Sequence, residues 1–400
     1  MTIKPIIDLG WAALLAAFFP SVAMAADDIP ASAWARFDGL RIVSSGADGL
    51  ADRGSRRPAK ADDPVRVASI SKLAVALGVM RLVERGTLDL DRDVSDYLGW
   101  RLRNPAFPDR PVSLRLLLSH TAGVRDGIDY ALPLDASLET AMAQGAAWDA
   151  GHAPGGYFTY SNLNFPIVAA VMEAATGDRF DRIMARQVFG PLRIDACFNW
   201  STCSARAVRH AIVLYKPDGS VARDALKGAR PACGATPASD GSCDVERTYR
   251  LGRQGAFFSP QGGMRISPRG LAVLGAVIAG RRPGFLKAAS IAEMTRPQWR
   301  YDGTNGDNEG GFDCAYGLAV HILALPGRPD SCRDDPFGDG VMRIGHSGEA
   351  YGLRSGLWVD PRTGRGVSFY ATALAPDTPK GTRSAFTAAE EAMIDRATNR

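Results

Sequence analysis

The chain has 400 residues, 46% of them hydrophobic and 22% charged, which is the make-up of a globular protein able to bury a large core and is unlike a disordered, collagenous or coiled-coil chain. The formal net charge is only +4, and no run of five like charges occurs, so nothing in the charge pattern supports nucleic-acid binding.

Taken in chain order, residues 1–25 read as a signal peptide. Lys4 precedes an apolar run over residues 9–19, and Ala23-Met24-Ala25 supplies the small-x-small cleavage pattern, although Asp8 is an unusual neighbour for such a run. The run is about half of the ~20 residues that a spanning helix needs, so no stable membrane insertion is expected after cleavage. No cysteine lies near the cleavage point to carry a lipid. The mature chain is expected to begin near Ala26, in the periplasm or outside the cell.

One strand is predicted at residues 40–43. A helix follows from Ser69, where Leu73, Val75, Ala76, Val79, Met80 and Leu82 recur at helical spacing until Gly86 stops it. Helical patterns continue to residue 192, including one over 165–175. Residues 197–261 are irregular and rich in Gly, Pro and Ser, a length of loop that is usually functional or mobile. Strands are predicted at 316–325, 351–359 and 366–374, the last two joined by a turn over 360–365, and an amphipathic helix over 385–397. The expected class is α+β: an α/β lobe from residues 26–66 and 262–400, with a helical lobe, residues 67–261, inserted between them.

The six cysteines fall in close couples, Cys197 with Cys203, Cys233 with Cys243, and Cys314 with Cys332. An even count behind an export signal predicts disulfides, and neighbour pairing is the expectation among fifteen connectivities. There is no C-x-x-C spacing and the histidines are scattered, so no metal site is expected. No nucleotide or flavin motif is visible, and no cofactor is expected.

Three short motifs carry chemistry. In Ser69-Ile70-Ser71-Lys72, positions i and i+3 share a helix face, so the Lys72 amine can reach the Ser69 hydroxyl and take its proton if burial keeps the amine neutral. In Tyr160-Ser161-Asn162, behind Pro154-Gly155, a phenol and an amide can be aimed into a cleft, as acid/base and as substrate ligand. In Gly345-His346-Ser347-Gly348, taken as an edge strand, glycine lets a substrate backbone approach. The backbone N–H groups of Ser69 and Glu349 could then form an oxyanion hole.

In this order the three motifs resemble the serine β-lactamase and penicillin-binding protein superfamily, in particular its class C β-lactamase-like branch with D-alanyl-D-alanine carboxypeptidases, D-aminopeptidases and esterases. Residues 65–68 (VRVA), 87–98 (TLDLDRDVSDYL), 116–123 (LLLSHTAG), 154–162 and 261–271 (QGGMRISPRGL) extend the likeness over roughly residues 40–374. The resemblance implies Ser69 as nucleophile, Lys72 as its proton partner, Tyr160 as acid/base, Asn162 as a ligand of the substrate amide, and His346, Ser347 and Gly348 along the strand side of the cleft. His120 is read as structural, and His152, His210 and His321 as surface or packing residues. The chain departs from the family in showing one strand before the nucleophile where relatives have two, and His346 where β-lactamases have lysine. The implied function is hydrolysis of a D-amino-acid peptide or carboxylic ester, with a cell-wall-derived small molecule or peptide as partner. The alternatives are a class C-like β-lactamase and a penicillin-binding sensor without turnover. An unperturbed His346 titrating near ~6.5 would hold a substrate carboxylate at acid pH and release it above neutrality.

Overall fold

The structure, a computed structural model, describes residues 30–399. Eight strands form one antiparallel sheet. In chain order they are β1 (Ser32–Asp38), β2 (Arg41–Asp48), β3 (Trp299–Arg300), β4 (Ala315–Tyr316), β5 (His321–Leu323), β6 (Arg343–Ala350), β7 (Leu353–Val359) and β8 (Arg365–Ala371). Their order across the sheet is β3-β4-β5-β6-β7-β8-β1-β2. The first two strands therefore add to the edge of a sheet made by the C-terminal third, with Ser32 opposite Ala371 and Asp38 opposite Arg365.

Two strands of this sheet precede Ser69, where one is expected from the sequence pattern. In β1 the residues that point inward are Ala33, Ala35 and Phe37, all buried, alternating with Trp34 and Arg36. Alanine has little β-preference and the intervening side chains are large, so the alternation is hidden in composition although it is clear in the backbone. The stretch 316–325 also differs from the expected single strand. It is a tight hairpin, β4 and β5, closed by a Gly317 N–H to Val320 carbonyl bond of 2.7 Å.

Four helices fix the site and cover the sheet: α1 (Ile70–Glu84), α2 (Asn164–Thr176), α3 (Pro268–Ile278) and α4 (Ala388–Thr398). Helix α3 lies on the face holding Phe37 and Leu357, and approaches so closely at Gly275 that a Cβ there would sit 2.6 Å from the Phe37 ring. Helix α4 closes the opposite face over Trp358, Val367 and Phe369. It starts at a capping box in which Thr387 and Glu390 satisfy each other's backbone N–H groups. Apolar α1 is buried along most of its length, as expected of a helix covered all round.

The three disulfides join Cys197 to Cys203, Cys233 to Cys243 and Cys314 to Cys332. The 197–261 stretch is less shapeless than its composition implies. It holds a short helix Ala205–Arg209, a hairpin of Leu214–Tyr215 with Val221–Arg223, and a turn of helix Val245–Thr248. The residues read as a signal peptide lie outside the described residues, apart from which no helix is long and apolar enough to cross a membrane.

Candidate active site

Ser69 caps the N-terminus of α1 and is delivered by a backbone held from several sides. Val65–Arg66 pairs with Met264–Ile266, which in turn pairs with Cys197–Phe198. Ala68, immediately before Ser69, has a left-handed backbone (φ 48°), a conformation that costs on the order of 1–3 kcal/mol for a residue with a side chain. The surroundings impose it. Val67 donates to Met264, the Ser71 hydroxyl donates to the Ala68 carbonyl at 2.6 Å, and the Ser355 hydroxyl donates to the Val67 carbonyl at 2.9 Å.

Lys72 is fully buried, and its Nζ lies 3.0 Å from Ser69 Oγ, 2.8 Å from Asn162 Oδ1 and 2.9 Å from the Gln261 carbonyl. None of these three acceptors is charged. Burial accordingly pulls the amine down to about 7, only partly opposed by the more distant Asp126. The Tyr160 ring lies beneath it, 4.8 Å from Nζ to the ring centre. The Tyr160 phenol is moved the other way, well above its usual value, because burial outweighs the interaction with the Ser69 side chain. At neutral pH the site therefore holds a phenol beside an amine that is about half neutral.

The Tyr160-Ser161-Asn162 loop is shaped by Asp126, whose part in it no motif announces, and by His120 of the LLLSHTAG motif, which is read from the sequence as structural. Asp126 accepts from the Ser161 hydroxyl (2.8 Å), the Asn162 and Leu163 N–H groups (3.0 and 2.9 Å) and Asn162 Nδ2 (2.9 Å). This last contact orients the Asn162 amide so that its oxygen faces Lys72. One Asn162 side-chain N–H is left over, the rest of its amide being engaged by Lys72 and Asp126. His120 stacks on Tyr160 with ring centres 4.3 Å apart and accepts from the Ser161 N–H at 3.0 Å. It supports the phenol from below. Asp126 stands in a loop with no periodic neighbours, and only a three-dimensional contact reveals it. Gln261 stood within the QGGMRISPRGL text, but a backbone carbonyl as a lysine ligand leaves no trace in side-chain identity.

His346, Ser347 and Gly348 lie on β6, which is an interior strand of the sheet and not an edge strand. The edge-like character is local. Strand β5 pairs with residues 343–345 and ends there, whereas β7 accompanies β6 to Ala350, so residues 346–350 have a neighbour on one side only. Ser69 borders the same cavity as residues 346–349. A Cβ at Gly348 would stand 2.3 Å from the Val67 carbonyl and 3.1 Å from the Ser69 nitrogen, so only glycine permits this approach. The backbone of Glu349 follows directly, beside Ser69.

His346 is 2% exposed, and both ring nitrogens are occupied: Nε2 by the Tyr316 hydroxyl at 2.7 Å and Nδ1 by the Ser347 carbonyl at 2.5 Å. A carbonyl only accepts, so the proton sits on Nδ1, and Nε2 accepts from Tyr316. Burial, with the Lys72 charge second, holds the imidazole well below its ordinary value. The expectation of a histidine titrating near neutrality is therefore corrected. His346 is neutral throughout the physiological range because desolvation and a nearby cation both oppose its charge. Of the remaining histidines, His152 is half exposed and pairs with Asp149, whereas His321 is fully buried beside Asp313 at 3.4 Å.

Two cavities meet at Ser69. One, of ≈ 560 Å³, is lined by Arg66, Asn162, Arg223 and Tyr351; the other, of ≈ 300 Å³, by Tyr160, Asp313, Tyr316, His346 and Ser347. Ser69, Glu349 and Arg354 border both. Among the described residues no group of three or more His, Cys, Asp and Glu side chains converges as a metal site.

The sequence profile of the Beta-lactamase family matches residues 21–390. The chain belongs to that family. Esterase EstB of Burkholderia gladioli is 31% identical over 276 residues, which are 64% of this chain and 66% of the esterase. Penicillin-binding protein 4* of Bacillus subtilis is 28% identical over 170 residues, 39% of this chain and 36% of that protein. The matched segments thus span just under two thirds and about one third of those relatives' own lengths. Among solved structures, D-amino acid amidase from Ochrobactrum anthropi SV3 in complex with L-phenylalanine superposes with a TM-score of 0.64 over 93% of both chains, at 19% identity. The octameric penicillin-binding protein homologue from Pyrococcus abyssi gives 0.65 over 93% of this chain and 73% of its own, at 20% identity. Both share the α+β fold of this beta-lactamase family member.

Proposed function

We propose that this family member is a serine hydrolase that forms an acyl-enzyme on Ser69 from a carboxylic ester or amide. The observation that carries the reading is Lys72 Nζ, buried, facing no carboxylate, lowered to about 7 and 3.0 Å from Ser69 Oγ. A base poised near working pH and within hydrogen-bond reach of a hydroxyl is what nucleophile activation requires. Neutral Lys72 takes the Ser69 proton as Oγ bonds to the substrate carbonyl carbon. The carbonyl oxygen gathers negative charge beside the Ser69 and Glu349 N–H groups. The raised Tyr160 phenol gives its proton to the departing oxygen or nitrogen and regains one from Lys72, so the proton lost by Ser69 leaves with the alcohol or amine. Water then attacks the acyl-enzyme by the reverse route, returning the proton to Ser69.

The names of the relatives, an esterase and a D-aminopeptidase, and of the amidase that shares the fold are in keeping with ester or D-configured amide substrates, among which cell-wall-derived peptides fall. The three disulfides support a location in the periplasm or outside the cell. The test is labelling of the mature protein by a fluorophosphonate, with the adduct mapped to Ser69 and lost in Ser69→Ala. A Ser69→Ala protein that is labelled as fully as the native one refutes the reading.

A further inference from the structure

The two cavities at Ser69 differ in which residues they present, and the difference assigns their contents. Tyr160, the proton donor to the leaving group, lines only the ≈ 300 Å³ cavity, so the leaving group departs there. The acyl portion then occupies the ≈ 560 Å³ cavity, which also holds Asn162. That acyl cavity is cationic. Arg66, Arg223 and Arg354 line it against a single acid, Glu349, and Glu349 is already paired with Arg354 at 2.5 Å.

Arg66 is only 6% exposed, yet among the described residues no hydrogen bond or ion pair engages its guanidinium, and its Nε is buried without an acceptor. An aromatic ring lies against it: the guanidinium stands 5.1 Å from the centre of the Tyr351 ring, which Arg223 also faces at 5.2 Å. The nearby acid Asp224 is bound by two of the three Arg265 guanidinium nitrogens, at 2.7 and 3.3 Å, and by the Trp200 indole. Burial, and next the Arg265 charge, lower Arg66 to about 10, so it remains a cation at neutral pH. A buried guanidinium left without an acceptor, with a second one near the same ring, is an arrangement that a planar carboxylate satisfies by accepting two parallel N–H bonds.

Resting on the acyl-enzyme reading, we propose that the substrate carries a carboxylate on its acyl portion, held by Arg66 with Arg223 in the larger cavity while Ser69 attacks the acyl carbonyl. The p-nitrophenyl monoesters of glutaric, adipic and suberic acids test this beside the same esters with the free carboxyl methylated, so that each pair differs by one charge. For at least one chain length, kcat/KM of the native enzyme is expected to favour the free acid tenfold or more, and the preference to shrink as ionic strength rises. In Arg66→Gln and in Arg223→Gln the ratio of free acid to methyl ester should fall at least fivefold, with Arg66→Lys keeping part of it. Arg223 is exposed, so its variant reads the ratio even if Arg66→Gln does not fold. Equal rates for both members of every pair in native enzyme, or a ratio unchanged in the arginine variants, overturns the proposal. If Ser69 is labelled by fluorophosphonate but the pairs are equal, the hydrolase stands and the carboxylate site falls. If Ser69 is not labelled and neither ester is cleaved, both fall.

Discussion

Asn162 Oδ1 lies 2.8 Å from Lys72 Nζ, and the other end of the same amide is tied to Asp126 at 2.9 Å. The lysine is therefore linked to a carboxylate through a neutral amide, which fixes its position without giving it a salt-bridge partner. This is how the amine remains near neutrality in pKa while it is held within bonding distance of Ser69.

A pH profile follows. In the proposed mechanism the active form has Lys72 neutral, so kcat/KM for a neutral ester should rise with pH through a midpoint of about 7. Asp126 is the group that raises Lys72 against burial, so Asp126→Asn should move that midpoint to lower pH. It should also lower kcat, because Asn162 and the Leu163 N–H lose their carboxylate acceptor. A lower kcat with the midpoint unmoved would mean that Asp126 only shapes the loop.

His346 supplies a contrasting expectation. Being buried and held well below its ordinary value, it should show no titration between pH 5.5 and 8 when followed by the NMR shifts of its ring protons. Accordingly, any change in KM for anionic substrates over that interval must come from another group. Tyr316→Phe removes the donor to Nε2 and should shift the Nε2 resonance, while the Nδ1–H tautomer, fixed by the Ser347 carbonyl, is kept.

The parts of this site that the sequence discloses are those made by local geometry. Ser69 and Lys72 share one helix face, and Tyr160 and Asn162 share one turn, so their spacing alone brings each pair together. The parts it hides arise from contacts between distant segments. Asp126 reaches Asn162 across 36 residues, the Gln261 carbonyl reaches Lys72 across 189, and the Ser355 hydroxyl reaches Val67 across 288. The fold shows the same division. Strands with β-branched and aromatic residues, such as 365–371 with Val367, Phe369 and Tyr370, stand out, whereas β1, with Ala33 and Ala35 on its buried face, does not. The 316–325 hairpin reads as one strand because its turn, with Ala319 at φ 52°, contains no asparagine or proline to mark it.

The Cys233–Cys243 bridge has a functional reach. It spans ten residues beside Ala235 and Thr236, which line the larger cavity. Closing a loop of that size contributes about 3 kcal/mol on the chain-entropy account. The double variant Cys233→Ser/Cys243→Ser should lower the unfolding free energy by about that amount and raise KM for bulky acyl groups more than it lowers kcat. Equal kinetics on short and bulky acyl esters would show that this wall does not touch the substrate.

Lys72 itself should be destabilising, and the sign can be worked through. Its native value of about 7 lies below the 10.5 of an exposed lysine, so between those limits the unfolded chain binds a proton that the native one does not. Stability from this group therefore increases as pH rises from about 7 to 10.5, and below 7 the native protein bears the whole penalty of a buried charge. Replacing the amine with an uncharged side chain of similar length removes that penalty. Lys72→Met should abolish turnover yet raise Tm at pH 6, with a smaller gain at pH 9, as measured by calorimetry on the oxidised protein. The hydrogen bonds lost to Ser69, Asn162 and Gln261 work the other way, each by roughly 0.5–1.5 kcal/mol, and at pH 9 they should absorb most of the gain. A Lys72→Met protein less stable than the native one at both pH values would show that these contacts outweigh the desolvation of the amine. Lys72 would then be held as a structural residue, and its position beside Ser69 would no longer need to be maintained against the fold by its chemistry.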